Sequence, residues 1–189
     1  ILLPLNLRNL PMKFLLLAAL SAVTLQSTSS AQTVTLTPVA DTILSSANAA
    51  SNYGGAGAVG MSAAGLPKGE FDSLMRFDFA SAKASFDTLF GAGGWSLQSV
   101  TLALTAAPPG NPLFNGNGAG TGGSNINFAG QIAFQWIQND TWIEGTGTPS
   151  LPTTNGITFS GLPGILSAAD ESLGSFVFAG GTSGVTNVA

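Results

Sequence analysis

Cysteine and histidine are both missing from this 189-residue chain. Their absence excludes nucleophilic triads that contain either residue, histidine proton shuttles, cysteine- or histidine-ligated zinc and haem, and cysteine-held iron–sulfur clusters. The remaining ionisable side chains are nine carboxylates, five basic residues and one tyrosine. Any catalysis would therefore need a pair of carboxylates, and any metal would be an oxygen-preferring ion such as calcium.

Charge is also scarce, because charged residues make up 7% of the chain against roughly 25% in an average soluble protein. Five basic residues provide no cationic stripe for phosphates, so we expect no nucleic-acid partner. Glycine accounts for 25 residues and proline for 10. This density of turn-forming residues favours many short strands over helices and predicts an all-β class.

Residues 1–31 have the pattern of a targeting segment. Met12-Lys13 precedes an apolar run of 12 residues, Phe14 to Leu25, and small residues end at Ala31. The run is shorter than the ~20 residues that cross a bilayer, so it predicts a signal peptide cleaved near Ala31. Residues 1–11 are interpreted as upstream sequence. Cleavage leaves three basic residues against nine carboxylates, a net charge of −6. An exported chain without cysteine favours a bacterial cell surface or secretion.

From Gln32 onward, apolar and polar residues alternate with the period of a half-buried strand. The predicted strands are 33–39, 41–46, 58–62, 73–79, 99–105, 131–137, 157–160 and 175–179. Ser81 as an N-cap and Gly91 as a stop predict one short helix over 81–90. Residues 32–189 are thus predicted to form a jelly-roll-like β-sandwich with one short helix.

Two further segments affect the domain boundaries. Residues 106–130 are rich in glycine and asparagine, which predicts a loop that either binds a ligand or fills solvent-exposed space. Residues 186–189 begin another strand pattern. We therefore expect the domain to be incomplete at its C-terminus.

Several pieces in a fixed order resemble DNRLRE-type domains of bacterial exported proteins. The pieces are ADTILSSAN (40–48), SNYGG (51–55), SLMRFDF (73–79), VTLAL (100–104), WIQNDTWIEG (136–145) and GITF (156–159). Ala49 stands where proline is usual, and Phe159 replaces a second tryptophan. The resemblance covers about residues 33–180 and implies a sandwich like that of carbohydrate-binding modules, which accompany polysaccharide-degrading enzymes. The composition also resembles PEP-CTERM exported proteins, which implies attachment through a C-terminal sorting tail.

Arg76 is one of three basic residues beyond the predicted signal peptide. The pleat of its strand places Asp78 on the same face. A cation between apolar residues predicts either a buried ion pair with Asp78, Asp41 or Glu144, which we favour, or a contact for a ligand carboxylate.

Oxygen-rich clusters along the chain predict a possible structural calcium site, although no cofactor is required. The candidate ligands are Asp41, Asp140 and Glu144, because calcium takes six to eight oxygen ligands. No run matches the loop pattern D-x-D-x-D-G. The alternative is that these residues cap solvated turns.

Aromatic residues near turns are the candidates for stacking on sugar rings. Trp142, Trp95 and Tyr53 lie beside turn-forming residues, so they could be exposed, or they could close the end of a core. Trp136 shares a strand face with Ile132 and is predicted to pack in the core.

Three functions follow from these observations. The first is an exported, noncatalytic module that binds polysaccharide at the cell surface or in the extracellular matrix, with a neutral glycan favoured by the negative charge. The second is a structural spacer or surface-layer component without a ligand. The third is a carboxylate-dependent polysaccharide-degrading enzyme, for which Glu70 and Asp72 are the nearest pair in sequence.

Overall fold

The computed structural model describes residues 31–66, 69–106 and 129–180, together with the backbone of 185–188. All its strands and helices belong to one unit, residues 34–189. The predicted signal peptide lies outside the described residues, apart from Ala31, and so does most of the predicted 106–130 loop. Both therefore stay predictions.

The described part of the chain is rich in strands and has few helices, as the composition predicts. Its strands are β1 (Ala40–Ser45), β2 (Phe71–Arg76), β3 (Leu102–Thr105), β4 (Gly130–Trp136), β5 (Glu171–Phe178) and β6 (Val185–Val188). Its helices are α1 (Phe79–Phe90) and three 3-10 helices at Ser46–Asn48, Gly54–Ala56 and Phe159–Gly164. The strands pair as three two-stranded sheets, β1–β2, β3–β6 and β4–β5, each antiparallel.

The centre of the fold is β1, which is buried on both faces. Ala40 and Leu44 point to one side and Ile43 to the other, because side chains alternate along a strand. The first side packs in a core cluster of Ala40, Leu44, Leu74 and Trp142, surrounded by Ile137, Ile157, Phe159, Leu162 and Ile165. The second side packs in a cluster of Ile43, Tyr53, Ala56 and Phe71. Burial on both faces explains why apolar residues are consecutive in β1 rather than strictly alternating.

Helix α1 begins two residues earlier than the predicted start at Ser81. Its N-cap is Asp78, whose Oδ1 accepts a hydrogen bond from the N–H of Ala80 at 3.0 Å. A carboxylate at this position also interacts favourably with the helix dipole. The helix ends as predicted at Gly91, which has a φ of +79° and donates to the carbonyl of Asp87.

The described residues do not form the strands predicted at 33–39, 58–62 and 157–160. In the first segment, the N–H of Val39 donates to β2, but Pro38 has no N–H with which to extend the ladder. In the second, Ser62 makes only an isolated bridge, to Phe71. In the third, the Thr158 side chain caps a 3-10 helix instead.

The β4–β5 pair confirms two other predicted strands. Ile132 lies opposite Phe176, and the rings of Phe134 and Phe176 stack with centroids 5.7 Å apart. The pair β3–β6 likewise confirms strands at 102–105 and 185–188. Packing of these sheets into a jelly-roll sandwich stays a prediction.

Candidate functional site

An open cleft of about 400 Å³ lies where β1 begins and β2 ends. Arg76, Glu144, Thr146 and Asn155 contribute polar groups to its lining. The lining also includes the exposed apolar side chains of Val39 and Ile143. Two of these residues, Arg76 and Glu144, are site residues predicted from the sequence, and the fold brings them into one cleft.

Arg76 forms no ion pair with a carboxylate of the described residues, so the favoured prediction of a buried ion pair is wrong. Its Nη1 donates to the carbonyl oxygens of Asp140 at 2.7 Å and Trp142 at 3.1 Å. The guanidinium also lies over the Trp142 ring, 5.0 Å from the centroid. These contacts tie β2 to the segment that follows β4, and carbonyl oxygens and an aromatic ring take the place of the predicted carboxylate partner.

Trp142 is 7% exposed and packs with Leu44 and Leu74. The sequence left two alternatives for Trp142, an exposed stacking residue or one that closes the end of a core, and its burial supports the second. Its ring packs against the apolar face of the β1–β2 pair. Burial there removes more apolar surface from water than a position at the rim would.

For Tyr53, too, burial supports core closure and not the exposed stacking role. Tyr53 is 8% exposed and packs against Ile43 and Ala56. Trp95 is half-buried: its ring lies 5.0 Å from that of Phe86, and its Nε1 donates to Asp87 at 2.8 Å. One face and the indole N–H of Trp95 are thus engaged within the protein.

The structure brings Asp41 and Glu144 together, but it does not assemble the predicted calcium ligands. Glu144 Oε1 accepts from the backbone N–H of Asp41 at 3.0 Å. Burial, and then the charge of Glu144, raises the pKa of Asp41 above its ordinary value. Asp140 is exposed, and its carbonyl is used by Arg76. Within the described ranges, no three carboxylates are close enough to hold one metal ion.

The nearest carboxylate pair in sequence, Glu70 and Asp72, lies at the other end of the β1–β2 hairpin. Asp72 pairs with Leu44, and burial followed by the charge of Glu70 raises its pKa. Neither residue lines the cleft.

Asn52 positions one wall of the cleft, and the sequence analysis did not single it out. It is fully buried. Its Nδ2 donates to the carbonyls of Glu144 at 2.6 Å and Ile157 at 2.8 Å. Its Oδ1 accepts from the N–H groups of Gly54 at 3.1 Å and Gly147 at 3.2 Å. We call Asn52 and these four backbone groups the Asn52 hub.

Glycine is required where the backbone closes on this hub. A Cβ atom at Gly147 would overlap the carbonyl of Asn52. Gly145 has a φ of +78°, and a Cβ there would overlap the Asn52 side chain. The sequence signal was present in the spacing Asn-x-Gly at 52–54 and Glu-Gly-x-Gly at 144–147, although such spacings are also typical of ordinary turns.

The rim of the cleft is held by a smaller set of hydrogen bonds. Asn155 Oδ1 accepts from the backbone N–H of Thr146 at 3.0 Å and from Thr153 Oγ1 at 2.7 Å. Its Nδ2 donates to Thr146 Oγ1 at 3.0 Å. These bonds fix two exposed polar side chains at the cleft edge, where they face solvent.

Family models, curated proteins and solved structures were compared with the chain. None matches. The resemblance to DNRLRE-type domains therefore stays a hypothesis carried by the residues quoted for it. Across the described ranges, every helix is too short or too polar to cross a membrane.

The exposed tryptophan is a different one from those predicted. Trp136, predicted to lie in the core, is 46% exposed. It is the last residue of β4, where the sheet ends and no described element covers its ring completely. Its ring is 6.4 Å from that of Phe79, at the start of α1.

Proposed function

We propose that this chain is an exported, noncatalytic β-sandwich module that binds polysaccharide at the cell surface or in the extracellular matrix. The observation that carries the proposal is the open cleft at the β1–β2 hairpin end. Its lining combines polar groups held by hydrogen bonds with the exposed apolar side chains of Val39 and Ile143, which is the combination that recognises hydroxyl-rich ligands with apolar ring faces.

The chemistry of the cleft suits sugar hydroxyls. The Glu144 carboxylate is an acceptor, and the Thr146 hydroxyl can donate its hydrogen. Asn155 retains one N–H donor, because its Oδ1 already accepts two hydrogen bonds. Arg76 and Glu144 contribute one charge of each sign, so the lining as a whole is close to neutral. A neutral or mixed glycan fits this balance better than a polyanion does.

The arrangement of carboxylates supports binding rather than hydrolysis. A glycosidase needs two carboxyl groups about 5–10 Å apart across the scissile bond. Glu144 is the single carboxylate in the described lining. Asp41 contacts Glu144 through its backbone N–H but is not part of that lining.

The export and sandwich parts of the proposal come from the sequence. The apolar run at 14–25 and the small residues before Gln32 support secretion. The resemblance to DNRLRE-type domains supports a jelly-roll sandwich, toward which β1–β2 and β4–β5 would each contribute strands.

Affinity electrophoresis in gels that contain neutral or acidic polysaccharides tests this function. We expect retardation of the wild type by at least one glycan and weaker retardation of Asn155→Ala, which removes a polar group from the rim. Asn48→Ala is the matched control, because Asn48 is exposed and outside the cleft. A chelator arm tests the calcium prediction separately.

No retardation by any glycan would favour the structural spacer over the polysaccharide-binding module. Release of reducing or unsaturated sugar ends during the assay would instead show that the module is an enzyme.

A further inference from the structure

Two exposed aromatic rings lie side by side outside the cleft. Phe79 and Trp136 are each 46% exposed, with ring centroids 6.4 Å apart and planes inclined by 46°. The ring of Phe77 is also close to that of Phe79, with centroids 6.2 Å apart. We call Phe79 and Trp136 the aromatic pair.

Regular secondary structure holds both rings. Phe79 is the first residue of α1, directly after the N-cap Asp78. Trp136 is the last residue of β4, paired across the sheet with Glu171. Rings fixed on a helix end and a strand end lose little conformational freedom on binding, which favours a preorganised contact surface.

The Trp136 indole retains an unused hydrogen-bond donor. Trp136 is 46% exposed, and no described residue accepts a hydrogen bond from its Nε1. In contrast, the Nε1 of Trp95 is bonded to Asp87. An exposed ring with a free N–H at its edge can stack on a sugar ring and donate to one of its hydroxyls.

We propose that the aromatic pair is a stacking subsite for a pyranose ring of a neutral polysaccharide. This inference rests on the proposed polysaccharide-binding function. Glu171, directly across the sheet from Trp136 and exposed, provides an acceptor for sugar hydroxyls and repels an anionic sugar. The same carboxylate disfavours a lipid bilayer or an apolar protein surface, since either would desolvate it without a partner.

The backbone of the aromatic pair is close to that of the cleft. Phe79 follows Arg76 by three residues, so their Cα atoms are at most about 11 Å apart even in a fully extended chain. Arg76 in turn donates to the carbonyl of Asp140, four residues after Trp136. The aromatic pair therefore lies near the cleft in the fold.

The test is affinity electrophoresis of the full chain with a neutral polysaccharide that retards the wild type. We expect Trp136→Ala to lose about tenfold or more in affinity, as truncation of an aromatic anchor commonly does. Trp136→Phe should lose less, because it keeps a stacking ring but not the N–H. Trp95→Ala is the matched control and should bind as the wild type does.

A second measurement needs no variant and so does not depend on how Trp136→Ala folds. N-bromosuccinimide oxidises exposed indoles, and peptide mass mapping reports each tryptophan separately. We expect a soluble neutral oligosaccharide to protect Trp136 in the wild type and to leave the oxidation of Trp95 unchanged.

Retardation of Trp136→Ala equal to that of the wild type, with no protection of Trp136, would overturn the subsite while the proposed function stands. No retardation of the wild type by any glycan would overturn both. Sedimentation of the wild type, but not of Trp136→Ala, with phosphatidylcholine vesicles would assign the aromatic pair to a membrane surface instead.

Discussion

Replacement of Asn52 by alanine should be among the most destabilising single changes in this fold. The amide is fully buried and satisfies two carbonyls and two N–H groups, from Glu144, Ile157, Gly54 and Gly147. Alanine removes all four hydrogen bonds and provides no replacement. The four backbone groups remain inside the fold without the partner that they had.

The loss of unfolding free energy in Asn52→Ala follows from the number of hydrogen bonds removed. A net loss of about 1 kcal/mol for each of four hydrogen bonds gives about 4 kcal/mol, and unsatisfied buried groups increase the cost. Total stabilities of domains are about 5–15 kcal/mol, so the variant would keep little of its stability. With a urea dependence of about 2 kcal/mol per molar, the unfolding midpoint should fall by about 2 M.

Urea unfolding followed by tryptophan fluorescence measures this shift, with Asn155→Ala as the matched control. Asn155 also makes three side-chain hydrogen bonds, but it is exposed, so water replaces them at a cost of about 0.5 kcal/mol. Asn52→Asp should also unfold readily at neutral pH, because its carboxylate would face two carbonyl oxygens. If Asn52→Ala unfolds at the same urea concentration as Asn155→Ala, the hub does not stabilise the fold as argued.

Three further outcomes are expected. Gly147→Ala should abolish cooperative thermal unfolding because of its overlap with the Asn52 backbone, while Gly164→Ala, where a Cβ meets nothing within 4 Å, should melt as the wild type does. Asp41→Asn should raise the free energy of unfolding at pH 7. The raised pKa of Asp41 means that folding disfavours its ionised form, so the stability of the wild type increases as the pH falls through that pKa. A variant whose stability depends on pH as the wild type's does would contradict this. Two backbone N–H donors lower the pKa of Asp170. The ionised side chain therefore stabilises the fold above the ordinary pKa of 3.8, and this stabilisation is lost as the pH falls through the lowered pKa. In a plot of the urea unfolding midpoint against pH, Asp170→Asn should flatten the acid limb. Arg76→Gln should cost about 1.5–3 kcal/mol, the range for hydrogen bonds from a charged donor, and a differential-scanning-calorimetry profile equal to that of the wild type would refute the tie between β2 and the segment after β4.

Local sequence patterns were sufficient to predict the positions of most strands and of helix α1. Alternation located β1 to β5 within a few residues, and Gly91 gave the end of α1. The start of α1 was missed because Asp78 and Ser81 are both acceptable N-caps, and only the hydrogen bond to Ala80 distinguishes them. The prediction of a strand at 33–39 was wrong. Alternation of apolar and polar residues indicates a half-buried surface, but it does not show that a partner strand is present.

Side-chain burial was much harder to predict than strand position. Trp136 was predicted to lie in the core but is 46% exposed. For Trp142 the sequence could not distinguish exposure from core closure, because long-range packing on the β1–β2 pair decides its burial. The two carbonyl groups that accept hydrogen bonds from Arg76 lie 64 and 66 residues away in the sequence. No local pattern reveals contacts at such a separation. Asn52 reads as a turn residue for the same reason, because all the evidence for its burial lies in distant segments.

The Asn52 hub also constrains the order in which the chain folds. Its long-range side-chain bonds join positions separated by 92, 95 and 105 residues, so they cannot form until a loop of that size has closed. The hairpin β1–β2 needs a far shorter closure and can form first. Loop-closure cost grows only slowly, by about 0.6 kcal/mol for each doubling of length. Insertions between α1 and β4 should therefore slow folding modestly while the final free energy of unfolding changes little.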